Sequence, residues 1–246
     1  MNKATPTVPT LLQNHLLAAL PEEAQKRLFP HMKLVDLPLG KVLYESGDAL
    51  HYVYFPTDAI VSLLYVMESG ASAEISVVGN EGLIGIAVFM GGESTPSRAI
   101  VQSAGSAFSL PSQRLRDEFN GYADMRMLML RYTQALITQM AQTAVCNRHH
   151  SIDQQLCRWL LLSLDRLPSN RLVMTQELIA NMLGVRREGV TEAAGKLQAL
   201  GVIEYHRGQI TVLDRPHLER LSCECYAVVK KETDRLQTYK PLFKSQ

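Results

Sequence analysis

The sequence predicts an α+β protein in which an N-terminal antiparallel β-roll, a long helix and a C-terminal winged helix-turn-helix follow one another. Three observations predict it. Between Met32 and Gln102, short β-rich segments recur between Gly, Pro, Ser and Asp signals, the pattern of a small antiparallel barrel or roll. From Tyr122 to Arg148, apolar residues recur at spacings of three and four, the period of a helix with one buried face. From Thr175 to Leu213, two short amphipathic segments flank Gly184 and lead directly into two alternating runs around Arg207-Gly208.

The 246 residues suffice for one or two domains at ~100–200 residues each. The net charge is +1, so no global basic field marks a nucleic-acid partner. The halves differ modestly: residues 1–150 hold 11 Lys and Arg against 13 Asp and Glu, whereas 151–246 hold 14 against 11. That sign suits a DNA-binding C-terminal half. No apolar run approaches the ~20 residues of a membrane span, and the first residues lack the apolar region of a signal peptide. The expectation is a cytoplasmic protein with no membrane partner. Cys146, Cys157, Cys223 and Cys225 all fall in predicted helices, which fits reduced thiols.

In order along the chain, residues 1–10 read as a mobile tail, followed by helices over about 11–20 and 22–29. Strands are expected at 33–37, 41–44, 52–55, 59–65, 73–78 and 99–102. Pro111-Ser112 marks a cap for a helix over 113–119. The long helix carries Met125, Leu128, Met129, Tyr132, Leu136, Met140 and Thr143 in one stripe, long enough for a two-helix seam. Asn147 to His150 reads as a hinge, and Ser151 as the cap of a helix whose Leu156, Trp159, Leu160, Ser163 and Leu164 pack beneath the helix-turn-helix. After Asp214-Arg215-Pro216 a single helix is expected to about Gln237, with Leu218, Leu221, Cys225, Val228 and Leu236 on its apolar face.

Within the helix-turn-helix, Thr175 is placed to cap a helix carrying Leu178, Ile179, Met182 and Leu183, and Gly184 supplies the sharp turn. The second helix, about 186–200, buries Val190, Ala193, Ala194, Leu197 and Leu200. Its other face opens with Arg186, Arg187 and Glu188 and continues through Thr191, Glu192 and Lys196. Side chains at the start of such a helix reach base edges: arginine can grip guanine, and glutamate can accept from cytosine. Thr175, Gln176, Lys196, His206 and Arg207 are placed to meet phosphates. Glu192 is open between reading a base and pairing with Arg187 or Lys196.

Thr175 to Leu213 resembles the C-terminal domain of the Crp/Fnr family of bacterial transcription regulators. The run T-Q-E-L-I-A-N-M-L-G-V-R-R-E-G-V-T-E looks like that family's helix-turn-helix, and G-Q-I-T-V-L-D looks like its wing. The resemblance places Arg187 and Glu188 on an Arg-Glu pair that reads G·C-rich half-sites. Glu192 stands where a second base-reading arginine is usual. It also implies that the roll is a cyclic-nucleotide-binding-like sensor and that the stripe at Leu128, Met129, Tyr132, Leu136, Met140 and Thr143 is a homodimer seam. Gly82, Gly85, Ile86, Ser97 and Arg98 then fall where a phosphate-binding cassette would form the effector pocket. Ile86 replaces the glutamate that holds a ribose hydroxyl, and Ser97 aligns with the phosphate-binding arginine, one residue short of Arg98. Tight cyclic AMP binding is therefore not expected. Tight turns with close backbone approach explain the Gly-rich stretch more simply.

The boundaries that follow are a roll over 11–118, a dimer helix and hinge over 119–150, a winged helix-turn-helix over 151–215 and a helical extension over 216–246. The partners implied are double-stranded DNA, a second copy of the chain and RNA polymerase. No cofactor is expected. An iron–sulfur cluster of the Fnr type is excluded because no cysteine precedes Cys146. Cys223 and Cys225, two residues apart on a continuous helix, would point about 200° apart and hold no common metal. Cys146, His149 and His150 share a face, but three ligands fall short of structural zinc's usual four. No nucleophile elbow, Walker loop or dinucleotide fingerprint indicates an enzyme. The remaining alternative is a ligand-binding signalling module whose C-terminal helices contact a protein, and charge reversal at Arg187 separates the two.

Overall fold

In the computed structural model, residues 10–237 are described. The expected tail, apart from Thr10, and residues 238–246 of the extension lie outside them. Where one helix over 11–20 was expected, a single 3-10 turn at Leu11–Gln13 gives way to α1, His15–Ala18. Asn14 makes the break. Its buried side chain accepts from the Leu17 amide at 3.0 Å and donates to the carbonyls of Pro56 and Gly82 at 2.9 and 2.8 Å. An Asn that satisfies three backbone groups does so outside a helix. Helix α2 is Glu22–Leu28.

Seven antiparallel strands form the roll: β1 Lys33–Leu37, β2 Val42–Tyr44, β3 Tyr52–Pro56, β4 Ile60–Val66, β5 Ser72–Val78, β6 Arg98–Ser103 and β7 Gly105–Pro111. They pair as two sheets, ordered β1-β7-β3 and β2-β6-β4-β5. Sequence reading lacks β7, although it is the central strand of the first sheet. Its Gly105, Ser106, Ala107 and Ser109 are small residues that carry little strand signal. The inward sides meet through Val53, Phe55, Val61, Leu63, Val101 and Leu110.

Helix α3, Ser112–Gly121, leads into α4, Ala123–His149. Ser112 is buried inside α3 rather than capping it, and its amide donates to the His51 carbonyl at 2.9 Å. The expected dimer stripe turns inward. Leu128, Met129, Tyr132 and Leu136 are buried in the roll's own core, Met140 packs against it, and Thr143 is buried beside it. Helical spacing announces that a face is covered, not by what, and the open side of the roll lies nearest. The face of α4 left uncovered is another one: Met127, Leu130, Ile137 and Val145 are 46, 42, 49 and 49 % exposed.

The C-terminal half comprises α5 Ile152–Leu164, β8 Arg171–Val173, α6 Gln176–Leu183, α7 Arg187–Ala199, β9 Ile203–His206, β10 Gln209–Val212, α8 Arg215–Leu221 and α9 Glu224–Gln237. Ser151 caps α5 in a reciprocal box with Gln154. The single final helix of the sequence reading is two, broken at Ser222 and Cys223. Helix α9 runs antiparallel along α4: Arg131 donates to the carbonyls of Leu236 and Arg235, both at 3.1 Å, and Gln142 donates to Cys225 Sγ at 3.1 Å.

This half is seated on the roll. Ile60, Leu64 and Val77 from β4 and β5 share one core with Trp159, Leu160, Ile179, Leu183, Val190 and Leu197. Trp159 Nε1 donates to Glu74 at 3.1 Å, Gln102 donates to Ser163 at 3.1 Å, and Arg166 pairs with Glu81 at 2.7 Å. No helix among the described residues is long and apolar enough to cross a membrane.

Candidate nucleic-acid interface

The Thr175 hydroxyl caps α6 by accepting from the Leu178 amide at 3.3 Å. Leu178 itself stands 37 % exposed, so the buried face is Ile179, Ala180, Met182 and Leu183. Gly184 closes α6 in the left-handed region, at φ +67°, and its amide donates to the Ala180 carbonyl. Arg186 sits at the cap position with extended backbone, and α7 begins at Arg187. Gly189 lets α7 press on α5: a β-carbon there would lie 2.7 Å from Ile152 Cδ1. Val190, Ala193, Ala194 and Leu197 are buried, whereas Leu200, expected among them, is 55 % exposed at the end of the helix. Arg186, Arg187, Glu188, Thr191, Glu192 and Lys196 are all exposed.

The wing turns tightly. His206 pairs with Gln209, and Arg207 and Gly208 both take positive φ, +48° and +79°. Two such residues make the hairpin turn whose twist matches its strands. His206 and Arg207 are both exposed there. Strand β8 adds a third strand beyond β10.

Between the starts of α6 and α7 and the wing lies an open groove lined by Thr175, Gln176, Glu177, Arg187, Tyr205, Arg207 and Gly208. Four residues expected at DNA thus share one surface. Tyr205 and Glu177 were missed. Tyr205 donates to the Met174 carbonyl at 2.8 Å, and burial pushes its hydroxyl up while Arg187 pulls it down. The signal for Tyr205 was an aromatic residue flanking the basic tip of the hairpin. Thr191 donates to Gln176 at 2.7 Å and to the Arg187 carbonyl at 3.0 Å, joining the two helices.

Glu192 takes Lys196 as partner, at 2.9 Å, and Lys196 also reaches Asp153 at 3.1 Å. The hydrogen bond and charge of Lys196 hold the Glu192 carboxyl below its usual range. Both pairs are exposed, hence weak enough for a phosphate to displace.

The expected effector residues are spread through packing and pairing within the chain. Gly82 lies under the Tyr132 ring, where a β-carbon would come within 2.3 Å of Cε2, and Tyr132 donates to the Leu83 carbonyl at 2.9 Å. Gly85 has φ +108° over Val53. Ile86 opens a short 3-10 turn against the core, and buried Ser97 shares a hydrogen bond with Thr95 at 3.0 Å. Arg98 pairs with Glu45 at 3.2 Å.

Comparison with known proteins agrees with this fold. Residues 34–122 match the model of a cyclic nucleotide-binding domain, and residues 154–221 match that of a Crp-like helix-turn-helix domain. A global nitrogen regulator of Nostoc sp. is 23% identical over 183 residues, spanning 70% of this chain and 82% of that protein. Another, of Synechococcus elongatus, is 22% identical over 212 residues, spanning 82% and 94%. Among solved structures, a Crp/Fnr-family transcriptional regulator from Eubacterium rectale superposes with a TM-score of 0.66 at 17% identity, covering 84% of this chain and 96% of that one. FixK2 from Bradyrhizobium japonicum gives 0.65 at 16% identity, covering 78% and 98%. At such identities the structural likeness is one of fold.

Proposed function

The chain belongs to the Crp/Fnr family of DNA-binding transcription regulators, which are not enzymes, and we propose that it reads a near-palindromic site as a homodimer. The observation that carries the reading is the convergence of Thr175, Gln176, Arg187 and Arg207 on one groove at the exposed start of α7. Arg186, Arg187, Glu188 and Thr191 face the bases. Thr175, Gln176, His206 and Arg207 meet phosphates, and Lys196 joins them when it leaves Asp153. Glu192 reads a base only if Lys196 is drawn away. Two copies of α7 related by a two-fold axis enter successive major grooves ~34–36 Å apart.

Family members are dimers, and the α4 surface supports the pairing. Met127, Leu130, Gln134, Ile137, Ala141 and Ala144 are exposed at alternating spacings of three and four, the seam pattern of two packed helices. A roll that senses a ligand would act by shifting the balance between two placements of the DNA unit. We do not assign cyclic AMP to it, because Ile86 offers no acceptor to a ribose hydroxyl. The regulator works at the chromosome, in the cytoplasm, with RNA polymerase as its downstream partner.

Selection from a random duplex pool tests this reading. Wild type should enrich an inverted repeat, and Arg187→Ala should lose ~1–3 kcal/mol and relax preference at one base of each half-site. Equal binding of every sequence by both proteins, with and without cell extract, would overturn it.

A further inference from the structure

We propose that Cys146, His150, Cys223 and Cys225 form a zinc(II) site that ties the C-terminal extension to the end of the long helix. On a continuous helix Cys223 and Cys225 would point apart, but the chain breaks between α8 and α9. Ser222 is extended, at φ −73° and ψ 158°, so Cys223 precedes α9 while Cys225 lies within its first turn. Cys146 occupies the last turn of α4, and His150 follows four residues later at the cap. The four donor atoms all lie within 4.8 Å of one another.

The spacing fits one ion. Bonds of about 2.3 Å to sulfur and 2.0–2.1 Å to nitrogen, arranged tetrahedrally, require S···S edges of about 3.8 Å and S···N edges of about 3.5 Å. Cys146 Sγ and Cys223 Sγ are 3.6 Å apart, and Cys225 Sγ and His150 Nδ1 are 3.4 Å apart. The thiols are buried, with 0, 5 and 0 % exposure at Cys146, Cys223 and Cys225. Three cysteines and one histidine are a donor set of structural zinc. Three thiols also cannot all be consumed by disulfides within the cluster.

The surroundings suit a metal. His150 Nε2 faces Glu224 Oε2 at 3.3 Å, which orients the imidazole and leaves Nδ1 for the ion. Gln142 donates to Cys225 Sγ. Zinc(II) with three thiolates carries a net charge of about −1, and buried Arg158 brings a compensating guanidinium to Thr143, one turn before Cys146. The cluster sits at the hinge, where Gln155 of α5 donates to the His150 carbonyl at 2.9 Å. Occupancy would therefore fix α4, α5 and α9 together.

Elemental analysis of the full chain purified under reductant should find about one zinc per chain. Cys223→Ser with Cys225→Ser should lose it, and Cys157→Ser, which alters the cysteine outside the cluster, should keep it. Glu224→Ala should retain the stoichiometry but weaken affinity about 10- to 100-fold in competition with a chromophoric chelator. Cobalt(II) in the wild type should give the strong visible bands of a tetrahedral thiolate centre, a reading that needs no variant. Wild type that takes up no zinc after reduction and reconstitution would overturn the proposal, as would equal zinc in the double variant or a weak octahedral cobalt spectrum. A Cys146–Cys223 disulfide with no zinc uptake would overturn it in favour of a redox pair.

Discussion

Gly82 and Gly184 are both needed, for different physical reasons. At Gly184 a side chain would meet only Ala73, at 3.3 Å, but the backbone is left-handed. Gly184→Ala should therefore cost about 1–2 kcal/mol, the conformational penalty alone. At Gly82 the obstacle is the buried Tyr132 ring, held by its hydrogen bond to Leu83. Gly82→Ala should cost more, about 3 kcal/mol, because a rigid ring must move. Denaturant unfolding of both variants checks the order, and equal losses would refute it. Glu74 makes a pH-dependent contribution. Burial pushes its carboxyl from 4.5 up to about 7, with Ser62, Arg158 and Trp159 only partly opposing. The protonated form is favoured in the folded chain, so its stabilisation is full below pH 4.5 and lost as pH rises through about 7. Glu74→Gln should remove that slope, worth at most about 3 kcal/mol, from unfolding free energies measured across the window. Wild type and variant with parallel pH profiles would contradict this.

Helix α4 separates what a sequence discloses from what it withholds. Its stripe of buried residues was legible because burial imposes a period of three to four. Its partner was not, since the same period serves a roll or a second helix. Leu136 and Ile137 are neighbours in sequence with opposite environments, 4 and 49 % exposed. Leu136→Ala should cost about 2–5 kcal/mol of stability and leave the dimer intact. Ile137→Glu should yield a folded monomer in sedimentation equilibrium, with little change in melting temperature. A dimer that survives Ile137→Glu, with monomer from Leu136→Ala, would restore the inward stripe as the seam. The other elements follow the same logic. Thr175, Gly184 and Arg207-Gly208 declared α6 and the wing through local chemistry that needs no tertiary partner. Strand β7 is built largely of small residues that carry little strand signal. The break at Asn14 is fixed in part by the carbonyls of Pro56 and Gly82, far away in sequence. The exposed start of α7 was legible as a basic-led helix start, while the Glu192–Lys196–Asp153 chain required α5 to be placed first.

At the scale of the whole molecule, the seating of the DNA-reading half on the roll decides how the parts communicate. Arg166 and Glu81 face each other across that seat with side chains 7 and 13 % exposed. Removing one member of such a pair leaves the other's charge stranded, at about 3–5 kcal/mol. Arg166→Ala should loosen the seat while each half stays folded, read as faster proteolysis at the Ser151 hinge with retained circular dichroism. Unchanged cleavage would show that the apolar contact alone holds the halves.

That contact also bears on engineering. Ile60, Leu64 and Val77 belong to the roll by chain position but to the DNA-reading half by the core they complete. Grafting residues 151–237 onto a foreign sensor would leave Trp159 and its neighbours without a lid, and an apolar patch of that kind invites aggregation. A recombinant that keeps function should need β4 and β5 transplanted together with the helices they cover.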